Sequence, residues 1–479
     1  METVLLYVLG VLIVVVGLAL SIGLHEIGHL IPAKKFGVKV GQYMIGFGPT
    51  IWSRKFGETE YGVKAIPLGG YISMAGMFPP GKVRATSEAR TGGYRSEAEL
   101  DYLQGDLHDV TQDAAIAVKS APRAKMDSTG FFNVLVQDAR DSSAQTIDPG
   151  AEDRVFYKLA FWKRIIIMLG GPVMNLVIAV VLYGVLLCGF GIAQASTTVG
   201  TVNACIAEDT GAASCAAGDP ASPAAAAGLL PGDRFVSIDG TTVTSWDQAS
   251  GIIRKSPGTA LSVVVERKGA NVDLTLTPKL TSRPVLDPTT GAAVTDSAGK
   301  TETEKVGFVG MGAASQVVRQ PVTAVLPAVG TNIGQVAKII VTLPQRLVQV
   351  GQAAFGGEKR DPNGPISVVG VGRLAGEISS LNSTPVADRA AAMISIIASL
   401  NVALFVFNLI PLLPLDGGHV LGALWEAVRR RFAKWFKRPD PGPVDMAKLI
   451  PLTLVVVAIL GASSALLIYA DIVNPVTLQ

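Results

Sequence analysis

The chain has 479 residues, a net charge of +3 and a mean hydropathy of +0.41. Charged residues make up only 16% of it, against roughly 25% in soluble domains, and 49% of its residues are hydrophobic. This composition excludes an ordinary soluble globular protein, and the small net charge gives nucleic-acid binding no electrostatic support. Much of the chain is therefore expected to lie in a lipid bilayer.

Four runs without any charged residue are long enough to cross a bilayer, which takes about 20 apolar residues. They cover residues 4–24, 165–193, 390–413 and 449–470. The first run is longer than the core of a signal peptide, and it lacks both a basic flank and a small-residue cleavage site. We interpret it as a retained span. The sequence thus predicts an α-helical integral membrane protein with four transmembrane helices.

Basic residues cluster beside three of these runs. The clusters are Lys34, Lys35 and Lys39 after the first run, Lys158, Lys163 and Arg164 before the second, and Arg429, Arg430, Arg431, Lys434, Lys437 and Arg438 after the third. If four spans alternate, all three clusters fall on one side, which the positive-inside rule makes cytoplasmic. Both termini are then extracytoplasmic.

The connecting regions differ in character. Residues 31–77 contain short runs of alternating polarity bounded by glycine and proline, which predicts a membrane-associated β-hairpin, with a polar loop as the alternative. Residues 78–155 are polar and lack periodicity, so we expect a flexible cytoplasmic insertion. Residues 196–282 combine small residues with strand-like runs, typical of a compact extracytoplasmic α+β domain. Residues 321–356 have apolar positions at helical spacing and predict either surface-lying helices or a core helix.

The three cysteines give one open question about this domain. Cys205 and Cys215 lie in the predicted extracytoplasmic region, where a disulfide would persist, although two free thiols are equally compatible with the sequence. Cys188 lies in the second span, where a small buried apolar side chain is expected.

The end of the first span reads Leu24-His25-Glu26-Ile27-Gly28-His29. On a helix, residues four apart share a face, so His25 and His29 can present their imidazoles to one metal ion with Glu26 beside them. This is the HExxH zinc signature, in which the glutamate acts as general base. Because the chain has only 4 histidines, an accidental match is disfavoured. The motif therefore predicts a catalytic zinc site.

A catalytic zinc site usually takes three protein ligands, so one more is needed. Asp416 follows the third span and falls at the same cytoplasmic edge as the two histidines. A turn or capping aspartate is the alternative, because Asp-Gly-Gly is a turn sequence, and His419 is a rival ligand. Pro411 and Pro414 are expected to break the helix just before it.

These two motifs together resemble the signatures of the site-2 protease family of zinc-dependent intramembrane proteases, in its bacterial form with four spans and one PDZ domain. The second signature of that family usually reads Asn-x-x-Pro-x-Pro-x-Leu-Asp-Gly. Asn408 and Pro411 match it, as does Leu415-Asp416-Gly417, whereas Leu413 takes the place of the second proline and Pro414 follows it.

Further matches lie between the two signatures. They are Gly46-Phe47-Gly48-Pro49 and Pro67-Leu68-Gly69-Gly70-Tyr71 in the β-loop, Gly171-Pro172-Val173-Met174-Asn175 in the second span, and Ala227-Gly228-Leu229-Leu230-Pro231-Gly232-Asp233 in the PDZ-like domain. The resemblance implies Zn²⁺ bound by His25, His29 and Asp416, Glu26 as the catalytic base, and Asn408 holding the substrate backbone. An interhelical hydrogen bond is the alternative role for Asn408.

The resemblance implies cleavage of single-span membrane proteins, such as pre-trimmed anti-sigma factors or remnant signal peptides, in the bacterial cytoplasmic membrane. Two other functions are weighed against it. An inactive scaffold displaying a PDZ domain would not need Glu26, and a metal transporter would place ionisable groups in several spans.

The expected segments are 1–30 (first transmembrane helix with HExxH), 31–77 (β-loop), 78–155 (insertion), 156–195 (second transmembrane helix), 196–282 (PDZ domain), 283–389 (extracytoplasmic linker and surface helices), 390–418 (third transmembrane helix with Leu-Asp-Gly), 419–448 (basic cytoplasmic loop) and 449–479 (fourth transmembrane helix and tail).

Overall fold

The structure is a computed structural model, and it describes residues 1–79, 128–206, 220–285, 294, 301–356, 360–361 and 364–476. The chain divides into two compact units. The helical unit comprises Met1–Val185 and Thr323–Gln479, and the β-rich unit comprises Leu186–Val322.

In the described part of the chain, five helices are long and apolar enough to cross a membrane: Glu2–Lys35, Phe161–Phe190, Val322–Gly356, Val386–Asn408 and Met446–Val473. Four of them coincide with the runs that the sequence predicts as spans. The additional candidate, Val322–Gly356, lies where the sequence predicts surface-lying helices or a core helix. The prediction of a helical membrane protein is therefore confirmed. By length and composition alone, the described residues contain five candidate membrane-spanning helices, one more than predicted.

Helix α1 (Glu2–Lys35) leads into a β-hairpin at the predicted place. Strand β1 (Val40–Phe56) pairs with the antiparallel strand β2 (Thr59–Met74). Gly57 in the turn between them has φ +62°, a conformation that glycine adopts without the steric cost of a Cβ. Alternating runs and a glycine turn thus suffice to explain this element.

The hairpin curls on itself and is attached to α1. Met44 pairs with both Gly62 and Tyr71, so the two strands form a bent sheet with the Met44 side chain buried between its layers. The Tyr43 hydroxyl donates a hydrogen bond to the Gly23 carbonyl at 2.7 Å. The hairpin is therefore fixed beside the part of α1 that carries the HExxH motif.

The predicted flexible insertion, 78–155, contains a helix in its C-terminal part. Helix α2 (Ser128–Gln145) has no proline, and Gln137 donates to Asp141 one turn later at 3.1 Å, a pairing that supports a helix. Weak apolar periodicity hid this helix in the sequence. Residues 80–127 of the insertion lie outside the described residues.

The second span ends before its apolar run does. Helix α3 (Phe161–Gly184) continues as one π-helical turn, Val185–Phe190, and Gly191 with φ +85° ends it. Strand β3 (Ile192–Val202) follows at once. The predicted limit at residue 193 was therefore wrong by a few residues, because the apolar start of a strand prolongs the apolar run of the helix.

The β-rich unit is built from strands with two short helices. Its further elements are α4 (Pro223–Ala226), β4 (Arg234–Ile238), β5 (Thr241–Thr242), α5 (Trp246–Lys255), β6 (Leu261–Arg267), β7 (Ala270–Leu276), β8 (Lys279–Pro284), β9 (Thr303–Phe308) and β10 (Met311–Val318). The main sheet has the order β10-β3-β4-β6-β7, β5 pairs with β4, and β8 pairs with β9. The unit therefore extends beyond the predicted limits 196–282, because β10 returns to pair with β3.

Alternating burial explains the core of this unit. Along β6 the side chains of Leu261, Val263 and Val265 are buried, and they pack with Phe235 and Ile238 of β4. Period-2 alternation of this kind is what a sheet with one covered face requires.

A buried ion pair closes the base of this core. Asp233 is 1% exposed, and Arg267 donates to its carboxylate from Nε and Nη2, both at 2.7 Å, while the Leu230 N–H donates at 2.8 Å. The hydrogen bonds from Arg267 hold the pKa of the Asp233 carboxyl below its usual value. Cys205 in the same unit is disulfide-bonded and Cys188 is a free thiol, whereas Cys215 lies outside the described residues.

The C-terminal part of the helical unit consists of α6 (Val325–Gly356), α7 (Val368–Ser380), α8 (Val386–Asn408), α9 (Asp416–Trp435) and α10 (Ile450–Val473). The predicted third span, 390–413, ends as a helix at Asn408. The chain then turns through a segment containing Pro411 and Pro414 before α9 starts, in agreement with the expected break.

Two helix contacts align the elements that carry the predicted ligands. Helices α1 and α8 run parallel, since Val14 shares a cluster with Met393 and the Asn401 Nδ2 atom donates to Ser21 Oγ at 2.9 Å. Helices α1 and α3 cross with their backbones in contact, because a Cβ on Gly28 would lie 2.2 Å from a carbonyl oxygen of α3. Small residues permit such close crossings in membranes.

Candidate metal centre

The three side chains that the sequence predicts as metal ligands lie together in the helical unit. His25 and His29 are one turn apart on α1, and Asp416 is the first residue of α9. The Asp416 Oδ2 atom lies 3.3 Å from His25 Nε2 and 3.4 Å from His29 Nε2, and the two nitrogens are 3.1 Å apart. Within the described ranges, this is the group of histidine, cysteine and acidic side chains whose ligand atoms are close enough to share one ion.

These separations fit one zinc ion. Tetrahedral zinc with bonds of about 2.0–2.1 Å places its ligand atoms about 3.3 Å apart. The Asp416 Oδ2 atom is buried and accepts no hydrogen bond from a described residue. Burying such an oxygen without a partner is costly, and a cation held between it and the two nitrogens removes that cost.

A glycine of α3 keeps the space next to the Nε2 atoms of His25 and His29 free of side-chain atoms. A Cβ at Gly171 would lie 2.2 Å from His29 Nε2 and 2.6 Å from His25 Nε2. Any side chain at this position would therefore occupy the volume that a shared ion needs.

The ring of His29 is held by the backbone of α3. Its Nδ1 atom lies 2.7 Å from the Ile167 carbonyl oxygen, which can only accept, so the Nδ1–H donates. This hydrogen bond places the lone pair of His29 on Nε2, the atom that faces Asp416. Metal-binding histidines commonly show such a second hydrogen bond.

The ring of His25 is held by a side chain from the same helix. Asn175 is fully buried, and its amide lies 3.0 Å from His25 Nδ1. Its Oδ1 atom has no hydrogen-bond partner among the described residues. Since the oxygen and nitrogen of an amide exchange places by a half-turn, the orientation that satisfies both groups points Oδ1 at a His25 Nδ1–H. The His25 Nε2 lone pair then also faces the cluster.

The helix that supplies Asp416 is anchored by buried charges. Arg164, at the start of α3, forms an ion pair with Glu426 of α9 at 2.6 Å, and both side chains are less than a tenth exposed. Glu426 also accepts a hydrogen bond from the Val444 N–H at 3.0 Å. Three groups from different segments therefore fix the position of α9.

Glu26 is buried beside the cluster. Its carboxylate is within electrostatic range of both histidines and Asp416, and a Cβ on Gly70 of β2 would lie 3.1 Å from Glu26 Cγ. The end of the hairpin thus passes directly next to Glu26. A carboxylate in this position suits the role of a general base toward a water in the fourth zinc position.

The other two candidates from the sequence lie apart from the three ligand atoms. His419 makes ring contacts with Phe78 and Phe156, each at 6.5 Å between centroids, and is not part of the cluster. Asn408 is the last residue of α8, and its side chain has no hydrogen bond within the part of the chain that is described. The asparagine that forms an interhelical hydrogen bond is Asn401, two helical turns earlier.

Sequence reasoning missed the supporting groups of the site. Asn175 and Gly171 belong to a motif that the sequence analysis identified by resemblance, but no role for either followed from it. The Arg164 and Glu426 pair left no local pattern, because the two residues are far apart in the chain. Charged residues in an otherwise apolar surrounding were the available signal.

Comparisons with known proteins agree with this geometry. A sequence profile described as "Peptidase family M50" matches residues 13–438. The zinc metalloprotease Rip1 of Mycobacterium tuberculosis is 30% identical over 481 residues, covering 99% of both chains. The zinc metalloprotease RasP of Bacillus licheniformis is 28% identical, covering 90% of this chain and 94% of its own. The metalloprotease MmpA of Caulobacter vibrioides is 26% identical, covering 88% and 89%.

The profile spans most of the chain, and the first of these relatives is matched along nearly its whole length. Zinc is the metal named in two of the three relatives, and it is the metal that the His-His-Asp cluster fits. The chain therefore belongs to peptidase family M50, the site-2 protease family, and is a membrane-embedded zinc metalloprotease.

Proposed function

We propose that the protein is an intramembrane endopeptidase that cleaves single-span membrane proteins within their apolar segments. In this proposal His25, His29 and Asp416 hold the zinc, and Glu26 is the catalytic base. The observation that carries it is the triangle of ligand atoms with sides of 3.1, 3.3 and 3.4 Å, contributed by α1 and α9.

Each residue has a separate task in hydrolysis. Bound zinc supplies Lewis acidity that polarises the scissile carbonyl and makes a water molecule more acidic. Glu26 takes a proton from the attacking water and delivers it to the leaving amine. Ile167 and Asn175 keep the two imidazole rings in the ligand orientation. Asn408, whose side chain has no other hydrogen bond among the described residues, holds the backbone of the substrate.

The hairpin provides a place for an unwound substrate. A helix must be extended before a protease can cut it, and an extended segment can add to the edge of a sheet. Residues 70–74 of β2 pair with 40–45 of β1, and Gly70 lies against Glu26. A substrate strand aligned along this part of β2 would bring its backbone next to the base.

We infer four membrane crossings, with the site near the cytoplasmic face. Because α1 and α8 are parallel, both start on the same side of the membrane. The chain must therefore cross the membrane an even number of times between the start of α1 and the start of α8. Helix α6 ends beside the C-terminal end of α10, where Asn474 donates to the Ala353 carbonyl at 3.1 Å. Both ends of α6 are then extracytoplasmic, so α6 lies along the bilayer surface and α1, α3, α8 and α10 cross it. The basic clusters fall on the cytoplasmic side.

The β-rich unit is the proposed extracytoplasmic PDZ-like domain. A disulfide at Cys205 suits an oxidising compartment. In this position the domain would filter substrates by size and admit those whose outer part has been trimmed. Pre-trimmed anti-sigma factors and remnant signal peptides are substrates of this kind, and the protein would reside in the bacterial cytoplasmic membrane.

The test compares two variants of the purified, reconstituted protein on a single-span substrate. Glu26→Gln keeps the shape of the side chain but cannot accept a proton, so zinc content should stay near one per chain while the cleavage rate falls about 100-fold to 10,000-fold. Asp416→Ala should lose both zinc and activity. Mass spectrometry should place the cut inside the apolar segment, near its cytoplasmic end.

Three results would contradict the proposal. Near-normal cleavage by Glu26→Gln would show that Glu26 is not the catalytic base. Full zinc content in Asp416→Ala would show that Asp416 is not a ligand and would make His419 the next candidate. An intact protein that binds zinc but cleaves no membrane substrate would favour a scaffold that presents the β-rich unit.

A further inference from the structure

The C-terminal half of α9 and the loop after it enclose a groove away from the metal cluster. Its volume is about 480 Å³, and we call it the basic aromatic groove, defined by Trp425, Arg429, Phe432, Phe436 and Arg438. It lies on the helix that begins with Asp416, and nothing in the proposed mechanism uses it.

Large aromatic side chains are exposed in and beside this groove. Trp425 is 57% exposed, Phe432 53%, Trp435 77% and Phe436 66%. The rings of Phe432, Trp435 and Phe436 lie 6.2 to 6.5 Å apart between centroids. A soluble surface rarely exposes a contiguous aromatic patch, whereas aromatic rings are enriched at the interface between bilayer and water.

Cations surround the same rings without acidic partners. Arg429, Arg431, Lys434, Lys437 and Arg438 form no ion pair with a carboxylate among the described residues. Among the described residues, the one side-chain hydrogen bond of the set runs from Arg429 Nη2 to the Pro441 carbonyl at 3.3 Å. The groove therefore presents two guanidinium groups, those of Arg429 and Arg438, that no described carboxylate neutralises.

The neighbouring arginine behaves differently and provides a contrast. Arg430 pairs with Glu426 at 3.1 Å and lies 3.5 Å from Asp440. These two acids are thus engaged by Arg430 and the buried ion pair of α9, and neither lines the groove. An anion entering the groove would meet positive charge and aromatic surface without a competing carboxylate in its lining.

The described residues of the helical unit leave this face of α9 uncovered. Its buried side consists of Gly417, Gly418, Gly422, Ala423 and Glu426, which pack on the rest of the helical unit. The exposed aromatic rings of the groove lie along the edge of this buried side, at the helical spacing of Trp425, Phe432 and Phe436. A helix with one apolar aromatic side and many Lys and Arg residues is typical of a segment lying in the membrane interface and attracted to anionic lipids.

We propose that the basic aromatic groove binds the headgroup of an anionic phospholipid of the cytoplasmic leaflet. The phosphate pairs with Arg429 and Arg438, and the glycerol and upper acyl chains contact Trp425, Phe432 and Phe436. Planar guanidinium groups match phosphate oxygens through paired hydrogen bonds. A lipid in this groove would hold α9, and with it the first residue of that helix, at a fixed depth in the membrane.

The test uses native mass spectrometry of the full-length, zinc-loaded protein in detergent, titrated with phosphatidylglycerol or phosphatidylcholine. The wild type should bind phosphatidylglycerol about tenfold more tightly than phosphatidylcholine. Each cation near a lipid phosphate contributes roughly a fivefold effect, so Arg429→Gln together with Arg438→Gln should weaken binding of phosphatidylglycerol at least tenfold.

The matched control is the double variant Arg431→Gln with Lys434→Gln. It removes the same amount of charge from this region of the chain but spares the lining of the groove, so it should change the affinity less than threefold. Zinc content near one per chain in both double variants will show that each retains its fold. Lipid binding is measured without substrate, so it stands or falls independently of the proposed protease mechanism.

Three outcomes would overturn this site. Equal affinity for the two lipids would mean that the headgroup charge is not recognised. An equal loss of phosphatidylglycerol affinity in both double variants would mean that the lipid is attracted by the overall positive charge of this region and not by the groove. A dimer that dissociates only in the Arg429 and Arg438 variant would assign the groove to a second copy of the chain.

Discussion

Replacing Gly171 by alanine tests whether α3 shapes the zinc site. The added methyl group would lie 2.2 Å from His29 Nε2, more than about 1 Å inside a relaxed non-bonded contact. Zinc sites tolerate changes of only about 0.2 Å in ligand distances. The ion pair between Arg164 of α3 and Glu426 of α9 opposes a movement of α3 away from α1. The histidine rings must therefore move, and we expect zinc affinity to fall at least about 100-fold, the upper range for losing one supporting contact.

Competition with a chromophoric chelator, on purified protein in detergent, measures this loss. Gly184→Ala is the matched control, because it lies on the same helix and nothing lies within 4 Å of its added Cβ. Its zinc affinity should stay within about twofold of wild type, since alanine in a helix is favourable. If Gly171→Ala binds zinc as tightly as Gly184→Ala, the two nitrogens do not face a shared ion and the proposed ligand set is wrong.

Three further predictions concern groups that support the site or the fold. Asn175→Ala should weaken zinc binding about 10-fold to 100-fold in the same competition assay. Arg164→Leu leaves the Glu426 carboxylate buried without its main partner and should lower the free energy of unfolding in detergent by about 2 kcal/mol or more. Asp233→Ala should reduce hydrogen-exchange protection of the β-rich unit by about 2 kcal/mol at pH 7. Because Arg267 depresses the pKa of Asp233 in the folded state, this difference should begin to shrink as the pH falls below about 4, and it should be lost only as the pH passes below the depressed pKa.

The grouping of the proposed ligands His25, His29 and Asp416 could be predicted from the sequence because its signals are local. The spacing of His25 and His29 on one helix fixes their common face without knowledge of the fold. Asp416 followed from a count of spans and from charge placement, which set the depth of each helix end. The hairpin followed from alternation and glycine turns. Each of these inferences needs only a short stretch of chain or the polarity of its flanks.

Contacts between residues far apart in the chain could not be predicted in the same way, because they depend on which helices or strands pack together. Asn175 meets His25 only because α3 crosses α1 at its glycines, and neither helix has a pattern that names its partner. The ion pair of Arg164 with Glu426 joins two distant segments. Strand β10 was predicted to be part of a linker because its partner β3 lies far earlier in the chain, before strands β4 to β9. Tertiary packing decides all three.

The position of Asp416 near the end of the chain has a consequence for biosynthesis. A zinc ion in this site would link the first helix to the ninth and thereby close almost the full length of the polypeptide into a loop. Until α9 has been synthesised and inserted, a growing chain carries the base and two histidines but lacks the carboxylate. Since catalytic zinc sites rely on three protein ligands, the proposed ligand set predicts that the nascent protease stays inactive in the membrane until α9 is in place.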